Sequence, residues 1–413
     1  MSDNVYFDSL ETRDPQTREQ ALFGMLPEQL QRGQRGATAL KRSLEGVEPQ
    51  HVRDRASLAR LPVLRKSDLI QLQQDAPPFG GLTTASVTEF GRVFCSPGPI
   101  FEPEARRDDY WRMARALYAA GIRRGDLVHN AFAYHFTPAG SMMESGAHAL
   151  ACPVFPAGVG QTEQQVQAIE RLKPRAYTGT PSFLKIILDK AREAEADVSS
   201  LKNALVTGEA LPSSLRSEIR SAGVNVVQCY GTADLGLIAY ESAAQEGLII
   251  DEQIIVEIVR PGTGDPVFEG EVGEVVVTTL NPDYPLIRFA TGDLSAILPG
   301  QSPCGRTNMR IKGWMGRADQ TTKIRGMFVH PAQIADVVKR HTEILRARLV
   351  VDRRDGQDAM VLRCETVRHD VELAKAIVTT LRDVCKLRGE CEFVAPDSLP
   401  HDGKVIDDIR KYE

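Results

Sequence analysis

The sequence predicts an α/β fold: a large N-terminal domain of mostly parallel sheets and helices, with a β-rich subdomain, followed by a small α+β C-terminal domain. Three observations carry this. Between about residues 110 and 240, short apolar β-branched runs alternate with amphipathic helical patterns, the rhythm of parallel strands joined by crossover helices. From about 248 the runs LIIDEQIIVEIVRP, GEVGEVVVTTL and LIRFATGDLSAILPG are separated by Pro- and Gly-containing turns, as in antiparallel sheet. Past RIKGWMGRADQTTKIRG, about a hundred residues form a helix, strand, strand, helix, strand pattern of their own.

The elements follow in order. Residues 1–80 read as mainly helical and charged, ending at the Pro/Gly break APPFGG. EARRDDYWRMARAL reads as helical, and the apolar spacing of DDYWRMARALYAAGI stops at Gly121. DLVHNAFAY and CPVFPAG read as strands on either side of a small-residue helix, TPAGSMMESGAHAL. TEQQVQAIERLKP is an amphipathic helix ended by Pro174, AYTGT a strand, and PSFLKIILDKAREA a helix with Pro in its first turn. LKNALVTGEA, LRSEIRSAG and VNVVQCYG continue the alternation. In such sheets ligands sit at the carboxyl ends of strands, which singles out the glycine-bearing turns VTGEA and QCYGTADLG.

Composition narrows the function. At 413 residues the chain exceeds one ordinary core, and 42% hydrophobic with 25% charged residues is the balance of a globular protein. No apolar run approaches the roughly 20 residues of a membrane helix, and MSDNVYFDSLETRD has no signal-peptide pattern. Seven scattered cysteines without a CxxC pair fit reduced thiols in the cytoplasm. A net charge of −5 without a basic stripe argues against nucleic acid as a partner.

The candidate motifs are individually ambiguous. FCSPGPIFEP offers Ser96 and Gly98 as a phosphate-cradling loop, or a stiff turn. VTGEAL presents Gly208 and Glu209 at a strand end, which is also an ordinary strand-to-helix turn. YGTADLG combines the aromatic face of Tyr230, a close-approach glycine (Gly231), a hydroxyl (Thr232) and a carboxylate (Asp234); an Asx-type turn looks the same. RFATGD sets Asp293 after Thr-Gly, where a carboxylate can grip vicinal hydroxyls or simply close a hairpin. GRADQTTKIRG gathers Arg317, Asp319, Lys323 and Arg325 at a domain boundary, as a charged linker would. LPHDGK ends with Lys404, a point charge on a loop or a solvated lysine.

In this order and spacing the motifs resemble the adenylate-forming acyl–coenzyme A synthetases, and within them the phenylacetate–coenzyme A ligase family. The resemblance runs over roughly residues 80–410, with the block 271–334 its most specific part. It implies domains at 1–317 (AMP-binding) and 318–413, the second mobile about a hinge at Asp319. It implies ATP, coenzyme A, Mg²⁺ and a small carboxylic acid as cofactors and substrates. A homodimer is the candidate oligomer.

Residue by residue, the resemblance places Gly208, Glu209 and Ala210 on one face of adenine and Tyr230 on the other, with Gly231 beside them. Thr232 falls beside the α-phosphate, Asp234 at the magnesium position, and Asp293 on the ribose hydroxyls. Arg317 and Lys323 fall near the nucleotide, Ser96 and Gly98 near pyrophosphate, and Lys404 where charge develops during adenylation. Tyr134, His135, Phe136 and Phe155 would line the acyl pocket, suiting an aryl or arylacetic acid; core packing explains each of them as well. Two departures stand out. The magnesium position carries Asp234 after Ala233 rather than Glu after a hydroxyl residue, and the phosphate loop lacks its lysine and gains prolines. Two alternatives stay open: an adenylating enzyme that uses another acceptor, and a non-catalytic relative that binds nucleotide or acyl-AMP.

Overall fold

The computed structural model describes residues 5–315, 317–318, 322–329, 331–354, 357–400 and 404–410. It divides into two compact units, Met1–Trp314 and Met315–Glu413.

A nine-stranded sheet organises the first unit. The strands Val154–Phe155, Val128–Asn130, Ala176–Gly179, Asn203–Val206 and Asn225–Thr232 run parallel in that spatial order. Gly236–Tyr240, Leu248–Ile250, Arg310–Ile311 and Ile297–Leu298 extend the sheet antiparallel. Both faces of the parallel part are covered, and the two-residue period of a strand sorts the side chains between them. Tyr177, Ala204 and Val226 pack under the helices Thr162–Leu172, Pro181–Glu193 and Ser213–Ser221. Their chain neighbours Ala176, Leu205 and Val227 pack under Met113–Ala119 and Ala139–Ala149. The helix at Pro181 starts as its sequence predicts: proline lies in the first turn, and Thr180 Oγ1 accepts from the Phe183 amide at 3.4 Å.

A second sheet, Leu64–Arg65, Phe289–Ser295, Gly273–Thr279 and Ile254–Val259, supplies the expected β-rich region. Leu22, Phe23, Leu26 and Leu30 of the long helix Pro15–Gly36 share a core with Ile254, Val256, Val277 and Phe289. Arg288, only 2% exposed, ties this sheet to the N-terminal segment. Its guanidinium is bidentate to Glu257 and also donates to the carbonyls of Ala59, Leu61 and Gly264. The arginine of RFATGD therefore anchors the strand that carries Asp293.

One element differs from its sequence reading. EARRDDYWRMARAL does not form a helix from its start: FCSPGPIFEP and the residues after it fold as a β-hairpin, Phe90–Ser96 with Ile100–Ala105, and the helix begins only at Met113. Two contacts and one backbone angle mark the break in the helical pattern. Asp109 accepts from the Ala114 amide with both oxygens at 3.2 Å, Trp111 Nε1 donates to buried Glu104 at 2.6 Å, and Arg112 sits at φ 63° before the first turn. Tyr110 and Trp111 are buried, but against tertiary neighbours rather than along one helix face.

The C-terminal unit is α+β. Its sheet has the order Glu390–Val394, Gln357–Glu365, Arg346–Arg354, Ile406–Asp408. The helices Pro331–Arg340 and Val371–Cys385 contribute to its core Ile334, Val337, Leu373, Ile377 and Leu381, and Asp370 caps the second helix through the Leu373 amide at 2.8 Å. Among the described residues, no helix is long and apolar enough to cross a membrane.

Candidate active site

Parallel register sets the carboxyl ends of four strands side by side, with Asn130 opposite Thr178, Gly179 opposite Val206, and Val206 opposite Gln228. The turns leaving these ends carry the predicted residues. Gly208 (φ 83°) and Glu209 are exposed just past Val206, and Ala210 is half-buried. A Cβ on Gly208 would lie 3.7 Å from Thr180 and 4.0 Å from Phe132, two residues the motif reading did not single out. Gly231 cannot carry a side chain, because a Cβ there would fall 2.5 Å from the Gly236 carbonyl oxygen.

Two polar clusters adjoin this edge. In the first, Tyr230 donates its hydroxyl to Asp293 Oδ2 at 2.8 Å, and Trp314 Nε1 donates to Asp293 Oδ1 at 3.1 Å. Thr291 Oγ1 accepts from the Asp293 amide at 3.1 Å, fixing the carboxylate's backbone. The nine-stranded sheet thus delivers Tyr230, and the second sheet delivers Asp293, 63 residues later. Trp314 was missed, since a single tryptophan in KGWMG carries no motif.

In the second cluster, Lys66 Nζ lies 2.5 Å from Asp234 Oδ2, and Asp234 is 4% exposed. Asp234 Oδ1 and the Tyr284 hydroxyl are buried without a hydrogen-bond partner among the described residues. Ser96 donates both its amide (3.2 Å) and its hydroxyl to Glu102, which is fully buried. Burial pushes the Glu102 carboxyl up to about 8, and the nearby Asp234 charge adds to the rise. Pro97, Gly98 and Pro99 form the exposed tip of the hairpin. Lys66 and Glu102 were both missed. Lys66 lies outside any motif, but period-two alternation from buried Ile100 past exposed Phe101 already places Glu102 inward.

The remaining candidates have these surroundings within their own units. Tyr134 is half-buried, with Asn130 Nδ2 donating to its hydroxyl at 2.7 Å. Phe155 packs against His129, ring centroids 5.4 Å apart. His135 is exposed, and Phe136 is 74% exposed at φ 60°. Thr232 Oγ1 accepts from the Leu235 amide at 3.2 Å, holding the turn that carries Asp234. Arg317, Lys323 and Lys404 belong to the C-terminal unit, where Lys404 Nζ lies 3.1 Å from Asp407. Asp319 lies outside the described residues. No group of three or more His, Cys, Asp or Glu side chains is placed to hold a metal among the described residues. Asp234, with its unpartnered buried oxygen, fits an ion that shares its coordination with water and phosphate.

A family model described as "AMP-binding enzyme" matches residues 131–281, the stretch that builds most of the parallel edge and its turns. Fold and match together define an adenylate-forming enzyme, an acid–thiol ligase that uses ATP to convert a carboxylic acid to acyl-AMP and then to its coenzyme A thioester. Phenylacetate–coenzyme A ligase of Thermus thermophilus is 32% identical over 326 residues, covering 75% of this chain and 72% of that one. Its counterpart in Aromatoleum evansii is 31% identical over 337 residues, covering 78% and 75%. The chain belongs to the phenylacetate–coenzyme A ligase family. A crystal structure of 2-hydroxyisobutyryl-CoA ligase, in complex with 2-HIB-AMP and CoA, matches with a TM-score of 0.82 at 26% identity, covering 100% of this chain and 94% of that one.

Proposed function

We propose that the acid activated is aromatic, of the phenylacetate type. The observation that supports this reading is the placement of three aromatic residues near the parallel edge: Phe132 beside Gly208, Tyr134 beside Asn130, and Phe155 at the end of its strand. A flat ring gains both burial and edge-to-face contact in such a setting. The names of the Thermus and Aromatoleum relatives support it. A short branched hydroxy acid is the second reading, favoured by full-length likeness to 2-hydroxyisobutyryl-CoA ligase.

In the proposed reaction a carboxylate oxygen of the acid attacks the α-phosphorus of ATP. The new O–P bond forms as the bond to the bridging oxygen breaks, and pyrophosphate leaves with both electrons of that bond. The thiol of coenzyme A then attacks the acyl carbon, loses its proton, and displaces AMP. Asp293, oriented by Tyr230 and Trp314, is the carboxylate that accepts from the ribose hydroxyls. Tyr230 and the Gly208–Glu209–Ala210 turn flank adenine, and Thr232 orients the acyl-phosphate oxygens. Asp234 would hold Mg²⁺, which when bound neutralises phosphate charge. Ser96 and Gly98 border the pyrophosphate. Arg317, at the end of the first proposed domain (1–317), and Lys323, in the second at 318–413, approach the nucleotide, and the second domain turns about Asp319. Lys404 stabilises the charge developing at the α-phosphate and bridging oxygen.

The test is pyrophosphate release over a panel of phenylacetate, indoleacetate, benzoate and 2-hydroxyisobutyrate, with and without coenzyme A. Phenylacetate or a close aryl acid should give the highest kcat/KM, and thioester should appear only with coenzyme A. A preference for 2-hydroxyisobutyrate would overturn the aromatic reading, and acyl-AMP that never passes to coenzyme A would point to another acceptor. Lys404→Ala should depress acyl-AMP formation by about 10²-fold or more while sparing thioester formation from supplied acyl-AMP.

A further inference from the structure

We infer that Asn130 is the positioning residue for acid selectivity: its side-chain amide fixes the loop 131–140, and with it Phe132 and Tyr134, without itself touching the acid. The inference rests on the reading that these aromatics meet the acid, and deepens it by saying what holds them in place.

Asn130 ends the strand Val128–Asn130 and is fully buried. A primary amide has two hydrogens to donate and two acceptor positions, and here all four are used. Nδ2 donates to the Gly140 carbonyl at 2.8 Å and to the Tyr134 hydroxyl at 2.7 Å. Oδ1 accepts from the Phe132 amide at 3.3 Å and from Thr178 Oγ1 at 2.9 Å. The partners fix the orientation. A carbonyl only accepts and a backbone N–H only donates, so turning the amide over would set like against like at both Gly140 and Phe132.

These bonds close the loop on itself. Asn130 precedes it, Gly140 ends it, and one side chain joins the two. The Gly140 amide returns to the Ala133 carbonyl at 3.0 Å, and a Cβ on Gly140 would fall 2.5 Å from that oxygen. Thr178, on the neighbouring parallel strand and itself fully buried, ties the amide to the sheet. The Asn130 carbonyl accepts from the Gly158 amide at 3.1 Å, which brings in the turn after Val154–Phe155. Three strand ends therefore meet at one residue. A loop preset in this way keeps its shape before the acid arrives, and that shape can discriminate between acids. The turn at Gly208 and the carboxylate of Asp293 leave other strands, so loosening this loop should fall on the acid more than on ATP.

The test is steady-state kinetics on the full chain, with the KM for the acid and the KM for ATP measured separately, and hydrogen exchange of the peptide spanning 131–140. The acid is whichever member of the panel the unaltered chain uses fastest. Asn130→Asp keeps the size and both acceptor positions but loses both donors. It should raise the KM for the acid about tenfold, lower the preference between acids, speed exchange in the loop, and change the KM for ATP little. Thr178→Val removes one donor at nearly constant size, and a several-fold rise in the KM for the acid is expected. In a Tyr134→Phe background Asn130→Asp should cost less than in the unaltered chain, because the two side chains act through one bond. Melting temperatures establish folding, and Thr178→Val carries the test if Asn130→Asp does not fold. Unchanged KM for the acid or unchanged exchange in the folded variants overturns the inference. Equal rises in both KM values also overturn it, since they describe a residue that only stabilises the fold; so does full additivity with Tyr134→Phe. A preference of the unaltered chain for 2-hydroxyisobutyrate overturns the aromatic reading alone, because Asn130 is then judged on that acid.

Discussion

The cluster around Asp293, proposed to meet ribose, and the cluster around Asp234, proposed to meet phosphate, border the same sheet edge but hold their carboxylates differently. Around Asp293 a carboxylate accepts from the Tyr230 hydroxyl and the Trp314 indole N–H. Around Asp234 a carboxylate is paired with a cation, Lys66, beside a second buried acid. A carboxylate oriented by fixed hydrogen bonds suits a sugar whose hydroxyls do not change charge during the reaction. A cluster of opposed charges with an unpartnered oxygen suits a group that must arrive, be neutralised and leave. The difference teaches that the two halves of nucleotide recognition should respond differently to substitution.

The largest expected effect is on the phosphate side. Asp234→Ala removes the carboxylate and strands the Lys66 ammonium, so acyl-AMP formation should fall by about 10²-fold or more, read as pyrophosphate release at saturating ATP. A fall in affinity alone, with kcat kept, would break the contrast between the clusters. Next, Asp293→Ala removes the acceptor of two side-chain donors, Tyr230 and Trp314. The KM for ATP should rise by roughly ten- to a hundredfold, as for loss of a charge-assisted hydrogen bond or two, with a smaller change in kcat. Smaller still, Tyr230→Phe deletes one hydroxyl donor while keeping the ring. About 1 kcal/mol, or several-fold in the KM for ATP, is expected; a loss as large as that of Asp293→Ala would mean that the hydroxyl, not the carboxylate, organises the ribose side.

The last prediction touches stability rather than turnover. Burial pushes Asp109 up from 3.8 to about 7. A carboxyl whose folded value is raised contributes stability that is present at low pH and lost as pH rises through about 7. Asp109→Asn should therefore flatten the fall in melting temperature between about pH 4 and pH 7 and leave the KM for ATP unchanged. A slope as steep as in the unaltered chain would show that other buried acids dominate.

Legibility in the sequence followed locality. The strand-end turns VTGEA, QCYGTADLG and RFATGD could be singled out because a β-branched run, a glycine and a polar residue lie within a few positions of each other. Glu102 was half legible, since alternation along Ile100–Ala105 faces it inward with Ile100. The delayed helix start at Met113 was not legible: Tyr110 and Trp111 keep helical spacing, and only the Asp109 cap and the Trp111–Glu104 bond decide otherwise. Lys66 and Trp314 were invisible, because each meets its carboxylate partner across a separation in sequence that no local pattern spans: Lys66 with Asp234, and Trp314 with Asp293.

Composition, periodicity and turn chemistry by themselves determined the α/β class, the β-rich region after 248, the separate C-terminal pattern, and the residues at the strand ends. Those properties depend on neighbours a few bonds or one turn away, which a linear text records. Tertiary structure alone decided which side chains meet: Tyr230 with Asp293 from two different sheets, Lys66 with Asp234, and Ser96 with Glu102 across a hairpin. Desolvation and charge pairing act through space, and distance in space is set only when the sheets have packed.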